Sequence, residues 1–478
     1  MLQVTESEIL NALDEANPWW QADAAVPYAD LKHRAYLPSF LALVEQREVR
    51  RAVLLLGQRR IGKTVMVHHA IGELLAKGVP ATHILYCSTE APVFVGMPLD
   101  KLVGLFERRF TRQDSSAPLY VFLDEIQYLN EWERHLKVLV DTKPNIHFIA
   151  TGSATAALRH KSMESGAGRI TEFYLPPLTF GEYLDFKNQS DNSSSKNIEY
   201  TNITALNREF VDWLNYGGFP EAVFSQPVRE QPTRFIKQDI LDKVLLRDLP
   251  SLYGVANVQE LHRFFAMLAY NTGQEVSLDS LAKGANINKV TLNKYLEYLE
   301  AAFLIQRSYR LDQDARHFKR VTAFKVYLTN PSLRAALYSN LPEDSKHMGA
   351  LVETGVAMHL QPRDQSANLH YARWDTGEVD FVQLTPDQSR VAAAVEVKWS
   401  DHAVDSKNGL KALTSLVRGK KIMTLPIMTT RSIRGTREAH GQKIMYVPAA
   451  FLCLRSSRLD MESLRLGSDL QQATDVFI

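Results

Sequence analysis

Cysteine is scarce in this chain: two among 478 residues, Cys87 and Cys453, far apart in sequence. That excludes a disulfide framework and a cysteine-built zinc site, and it fits a reducing compartment. Neither sign of charge predominates. Lys and Arg number 55 against 54 Asp and Glu, a net charge of +1, so there is no overall basic field, and any contact with nucleic acid must come from local patches. Long apolar runs are missing too. No stretch approaches the roughly 20 residues of a membrane helix, and the opening MLQVTESEILNALDE has acidic residues early and no apolar segment of a secretory signal. The expectation is a cytoplasmic protein without a membrane partner. Hydrophobic residues at 45% and charged residues at 23% are ordinary for a chain with packed cores, and at ~150 residues per domain the length suggests about three.

Apolar strand-like runs alternate with helical ones in the first part. Residues 51–56 (RAVLLL), His83–Cys87, Leu119–Leu123 and His147–Ala150 read as strands, and Val65–Leu75 and Glu131–Val140 as helices. That alternation predicts a parallel sheet covered on both faces. The polar stretch 187–197 (KNQSDNSSSKN) reads as an exposed loop or linker and a boundary. Beyond it, Ser277 is placed to cap a short helix, and Leu292, Tyr295, Leu296 and Leu299 stripe a second helix at i, i+3, i+4 and i+7. A strand pair from Phe303 through Leu328 follows, the order of a winged helix. Helical pattern over Ser332–Leu360, strand-like runs at Val379–Leu384 and Val391–Trp399, a helix over Gly409–Val417, a strand at Ile422–Met428 and a last apolar run at Ile444–Leu454 make a second α/β region.

Gly57 to Thr64 (GQRRIGKT) matches G-x-x-x-x-G-K-[ST] in full. Glycines close a loop whose N–H groups converge on a phosphate, and the next helix adds its positive end. Lys63 is expected to bridge the β- and γ-phosphates of ATP and Thr64 to ligate Mg²⁺, with Gly57, Arg60, Gly62 and Val65 also at the nucleotide. The strand Leu119–Leu123 ends in Asp124-Glu125. Two carboxylates at the end of a buried strand are costly unless a cation or a task keeps them there. Asp124 is the candidate Mg²⁺ ligand and Glu125 the candidate base for the attacking water. Thr151 and Ser153, after the next strand, are candidate contacts to the γ-phosphate or that water, or else turn residues. Arg159 and Arg169 are candidate fingers acting on a neighbouring copy.

The chain resembles the prokaryotic AAA-type ATPases that carry a winged helix and a C-terminal nuclease-like domain of unknown function. Asn17-Pro18-Trp19-Trp20, the GQRRIGKT loop, LDEIQ at 123–127, TGS at 151–153, LPPLTFGEYL ending at 184, and YGGFPEAV at 216–223 carry the resemblance. It implies an α/β protein: an AAA-type P-loop ATPase core over 1–186, a linker and helical lid over 187–255, a winged helix over 256–330 and a restriction-endonuclease-like domain over 331–478. It implies ATP binding and hydrolysis.

In such a nuclease-like domain, Asp380 and Glu396-Val397-Lys398, preceded by a helical Glu353, are the possible site. Alternation along a strand puts Glu396 and Lys398 on one face, two carboxylates can bind Mg²⁺, and a lysine can position the hydrolytic water. The same pattern also describes any half-exposed strand, and such a domain can serve as a docking surface without cleaving. For double-stranded DNA, Asn288, Lys289, Thr291, Asn293 and Lys294 lie near the start of the last helix of the winged-helix order, while Arg316, His317, Lys319, Arg320 and Lys325 form a basic run where a wing would meet phosphates. Winged helices also serve as protein-packing modules or as lids on a nucleotide site. Three functions remain open: an ATP-driven switch or motor acting on DNA, an ATP-regulated scaffold binding a protein partner, and an ATP-dependent DNA nuclease of a defence type. A homo-oligomer is expected in each.

Overall fold

The computed structural model describes residues 4–21, 25–94, 97–110, 118–129, 131–152, 168–190, 202–311, 323–360, 369–374, 377–385, 390–404, 410, 412–416 and 424–466. The chain divides into two compact units, Met1–Pro176 and Pro177–Ile478. Among the described residues no helix is long and apolar enough to cross a membrane.

The first unit is built on five strands: β1 (Ala52–Leu56), β2 (Ile84–Ser88), β3 (Leu119–Asp124), β4 (Ile146–Gly152) and β5 (Ile170–Tyr174). Their order is β2-β3-β4-β1-β5, and every pairing is parallel. All five residues of β1 and all six of β3 are buried, which is why these segments read as unbroken apolar runs and not as alternating ones. The helices are α1 (Glu6–Ala16), α2 (Leu37–Glu45), α3 (Lys63–Ala76), α4 (Leu99–Arg109) and α5 (Trp132–Thr142). A capping box between Thr5 and Glu8 starts α1. Strand β5 was not anticipated: its residues are half-buried or exposed at the sheet edge, so its apolar signal is weak. Leu56 pairs with Gly152, and Leu123 with Ala150. The carboxyl ends of β1, β4 and β3 therefore come level, and loops leaving them share one crevice.

The other edge, β2, is sealed by the Asn17-Pro18-Trp19-Trp20 run. The buried Asn17 amide accepts from Tyr86 N–H at 2.6 Å and donates to Tyr86 O at 2.8 Å and Leu13 O at 2.7 Å. The Trp19 and Trp20 indoles both donate to Ile84 O, at 3.3 and 2.9 Å. Side chains thus satisfy backbone groups that an edge strand would leave open. Asn17→Ala orphans the Tyr86 peptide groups and is expected to cost about 1–3 kcal/mol. A chemical-denaturation midpoint indistinguishable from wild type would contradict that role.

The second unit holds a nine-stranded mixed sheet. Its strands are β6 (Glu275–Ser277), β7 (Ile305–Leu311), β8 (Ala323–Leu328), β9 (His370–Trp374), β10 (Gly377–Leu384), β11 (Val391–Glu396), β12 (Ile427–Thr430), β13 (Gly435–Ala439) and β14 (Gln442–Pro448). They run in the order β13-β14-β12-β11-β10-β9-β7-β8-β6. The helices Leu278–Ala285 and Lys289–Ala301 are capped by Ser277 and Asn288, and the second buries Leu292, Tyr295, Leu296 and Leu299, as its spacing predicts. β7 and β8 form the expected antiparallel pair, but β7 also pairs with β9. The segments read as two domains, 256–330 and 331–478, therefore share one sheet.

Several local expectations are corrected. Residues 187–190, read as loop, lie within the helix Phe180–Ser190, so the boundary expected at 186 falls inside a helix. The run Ile444–Leu454 splits into the end of β14 and the start of the helix Ala449–Leu466. The helical pattern over 332–360 becomes two helices, Ser332–Tyr338 and Met348–Leu360, with Pro342 in the gap.

Candidate nucleotide site and a second carboxylate centre

The loop between β1 and α3 turns on two glycines. Gly57 has φ 156°, and a Cβ there would lie 2.5 Å from Leu175 O and 2.4 Å from Ile61 Cδ1. Gly62, just before α3, has φ 94°, a left-handed conformation that favours glycine. Arg34 braces the loop, its guanidinium donating to Ile61 O at 2.8 Å and to Pro176 O at 2.9 Å. Lys63 is buried, and its ammonium donates to Gly57 O at 3.1 Å and Gln58 O at 2.8 Å. Burial lowers its pKa from the ordinary lysine value, while the charges of Glu125 and Asp124 oppose that shift. Val65 is half-buried on the first turn of α3, and Arg60 is exposed on the loop.

Thr64 begins the same helix and donates to Asp124 Oδ2 at 2.8 Å. Asp124 closes β3 as a buried carboxylate that also accepts from the Tyr86 hydroxyl at 3.0 Å and from Thr151 Oγ1. Glu125 follows with φ 55°, left-handed backbone that a non-glycine residue adopts at a cost of order 1–3 kcal/mol. Its peptide is pinned on both sides: its N–H donates to Thr151 Oγ1 at 3.1 Å, and its carbonyl accepts from Thr89 Oγ1 at 2.6 Å. Gln127 Nε2 donates to Glu125 Oε2 at 2.5 Å. Lys63, Thr64, Asp124, Glu125 and Thr151 thus meet at one crevice. Ser153 and Arg159 lie outside the described residues. Arg169 pairs with Asp141 at 3.0 Å. The sequence reading missed Arg34, Tyr86 and Thr89, which act through backbone and second-layer contacts that no motif spacing encodes.

A second cluster lies in the second unit. Phe381 on β10 faces Val395 on β11, so Asp380 and Glu396 are brought together, and Asp380 Oδ2 accepts from Val397 N–H at 2.9 Å. The Lys398 ammonium lies 2.5 Å from Glu396 Oε1. Glu353, on the helix Met348–Leu360, accepts from the Tyr327 hydroxyl at 2.6 Å. The four residues expected from the sequence do converge. An unexpected fifth joins them. Lys325, read from the sequence as a phosphate contact, is 3% exposed and lies 3.0 Å from Glu353 Oε1 and 2.9 Å from Asp380 Oδ1, with Glu378 also in contact. Its inward-facing place on β8 removes it from any DNA surface. Burial raises the pKa of Glu353 and of Glu396, and the Asp380 charge adds to both shifts. Among the described residues no three His, Cys, Asp or Glu are grouped to hold a metal.

Fold and loop together give the first unit the P-loop NTPase fold, and residues 49–184 match the family described as AAA domain. Residues 207–345 match a family described as a domain of unknown function. An uncharacterized protein of Methanocaldococcus jannaschii is 25% identical over 367 residues, covering 75% of this chain and 78% of its own. One of Haemophilus influenzae is 25% identical over 358 residues, covering 73% and 84%. Among solved structures, the Aeropyrum pernix ORC1 protein in complex with DNA is 13% identical, with a TM-score of 0.33 over 70% of this chain and 96% of that one.

Proposed function

We propose that this chain binds ATP and hydrolyses it with Mg²⁺ at the crevice of its first unit. The meeting of Thr64 and Asp124 at 2.8 Å beside the loop that Lys63 crosses carries the reading. Loop N–H groups and the positive end of α3 take the phosphates, and Lys63 offsets the β- and γ-phosphate charge. The Thr64 hydroxyl and the Asp124 carboxylate are hard oxygen donors suited to Mg²⁺, and they would hold it. Bound there, the ion would neutralise charge developing on the phosphate oxygens. Glu125 takes a proton from the water that attacks the γ-phosphorus as the bond to the ADP oxygen breaks, leaving ADP and phosphate. Its pinned backbone keeps that carboxylate aimed, and Thr151 orients both acidic residues. A neighbouring copy supplies the completing arginine, so self-association is part of the reading.

Thermal unfolding with and without nucleotide tests binding. A ligand at 100 times its dissociation constant stabilises by about 2.7 kcal/mol, so ATP with Mg²⁺ is expected to raise the midpoint. A midpoint unmoved by millimolar ATP and Mg²⁺ contradicts the proposal.

Contact with double-stranded DNA is a second reading, favoured by the start of the helix Lys289–Ala301. Asn288, Lys289 and Lys294 are exposed there, and Thr291 and Asn293 are half-buried. Amino-terminal residues of such a helix are the ones that reach base edges. Against it, Asn293 donates to Glu297 at 2.7 Å and Lys289 pairs with Asp279. DNA-stimulated ATP hydrolysis is the expected result if this reading holds. A rate indifferent to duplex DNA favours instead an ATP-regulated scaffold that binds a protein partner.

A further inference from the structure

The carboxylate centre of the second unit already contains a cation. We propose that Lys325 is its resident counter-ion, and that a divalent metal enters only where the Lys325 ammonium is withdrawn. Three carboxyl groups from two elements converge on that one nitrogen: Glu353 from a helix at 3.0 Å, and Asp380 at 2.9 Å and Glu378, both from β10. The lysine stands on β8, in the segment read as part of a winged helix, whereas its partners belong to the segment read as nuclease-like. Those two segments share one sheet, so the lysine is delivered by the fold and not by a mobile side chain at a rim. Its side chain is 4% exposed, and the Tyr327 hydroxyl, two residues along β8, donates to the same Glu353 oxygen at 2.6 Å.

Charge and geometry together oppose a metal in this arrangement. Asp380 spends one oxygen on Lys325 and the other on Val397 N–H. Glu396 spends one oxygen on Lys398. A divalent ion at Asp380 would sit beside the Lys325 ammonium, and like charges a few ångströms apart in a buried site repel strongly. With Lys325 gone, Asp380 Oδ1 and a Glu353 oxygen become available. Glu396 Oε2 on the paired strand is buried and without a hydrogen-bond partner. It is a further hard oxygen that would have to move in with the other two to hold Mg²⁺ or Mn²⁺, since as they stand no three such groups among the described residues are arranged for a metal. The site is thus a latent divalent-cation site, kept closed by a lysine of its own sheet.

Mn²⁺ binding to the full chain, read by electron paramagnetic resonance of the free ion, tests this. Every arm carries Asp124→Asn to silence the crevice of the first unit. With Lys325 intact, no further Mn²⁺ is expected to bind below about 1 mM. Lys325→Met is expected to gain one equivalent at least ~10-fold more tightly, and Lys325→Met with Asp380→Asn is expected to lose it again. Lys325→Gln, one atom shorter but still a hydrogen-bond donor without charge, supplies the same comparison if Lys325→Met does not fold. One equivalent bound with Lys325 intact and abolished by Asp380→Asn overturns the proposal. So does a folded, charge-neutral Lys325 variant that gains none.

Discussion

Lys63→Ala is expected to abolish tight ATP binding. The ammonium is buried at the mouth of the loop and held there by the Gly57 and Gln58 carbonyls, so it is positioned before any ligand arrives. Burial disfavours its charge, and the neighbouring Glu125 and Asp124 favour it, which leaves a cation poorly solvated by water and suited to a phosphate anion. Alanine removes the charge and leaves the nucleotide's phosphates facing two acidic residues. Losing one member of a close, partly desolvated charge pair costs about 2–5 kcal/mol, or roughly 30- to several-thousand-fold in affinity. Calorimetric titration of ATP with Mg²⁺ measures it. Binding within a few-fold of wild type would remove Lys63 from the proposed site.

Glu125→Gln is expected to separate binding from turnover. The amide is nearly the same shape and its oxygen can still accept from Gln127, so the left-handed backbone and its links to Thr89 and Thr151 stay in place. Only the ability to accept a proton is lost. General-base catalysis typically contributes ~10²–10⁴-fold, and a fall of that size in single-turnover phosphate release is expected, with ATP affinity little changed. Hydrolysis at the wild-type rate would show that the base lies elsewhere, and a parallel loss of binding would show that Glu125 acts on structure instead.

These two residues were legible because their chemistry is local. A phosphate loop needs glycine, lysine and threonine at fixed offsets, and an acidic pair at the end of an apolar run announces itself. The strands of the first sheet were legible for a related reason: burial on both faces leaves runs such as AVLLL with no polar interruption. β5, β6 and β13 were not, because they lie at sheet edges and leave no such run, and β9 (HYARW) was not, because His370 and Arg373 interrupt its apolar residues. Long-range partners were hidden altogether. Nothing in the spacing of Asn17 and Tyr86, 69 residues apart, says that one satisfies the other's peptide, and nothing near Arg34 says that it braces the phosphate loop.

Lys325 is the instructive case. Its sequence neighbours Arg316, His317, Lys319 and Arg320, which lie outside the described residues, made it look like one charge in a basic run. The pairing of β8 with β7, and of β7 with β9, carries it inside one sheet beside Asp380. A strand residue's face is decided by its register, and a one-residue change would send it outward. The convergence of Glu353, Asp380, Glu396 and Lys398 was foreseeable from the helix, the hairpin and strand alternation. The lysine among them was not, because it comes from a segment whose sequence suggested a different domain.

The central claim, a Mg²⁺-dependent ATP hydrolase built by Lys63, Thr64, Asp124 and Glu125, is tested most directly by phosphate release from ATP by the purified full chain. The wild type is measured with Mg²⁺ and with the ion removed by chelator, and Lys63→Ala serves as the blank. The account predicts turnover that requires Mg²⁺ and falls to the blank without it. Phosphate release that persists in Lys63→Ala, or a wild type no faster than that blank with Mg²⁺ present, would contradict it.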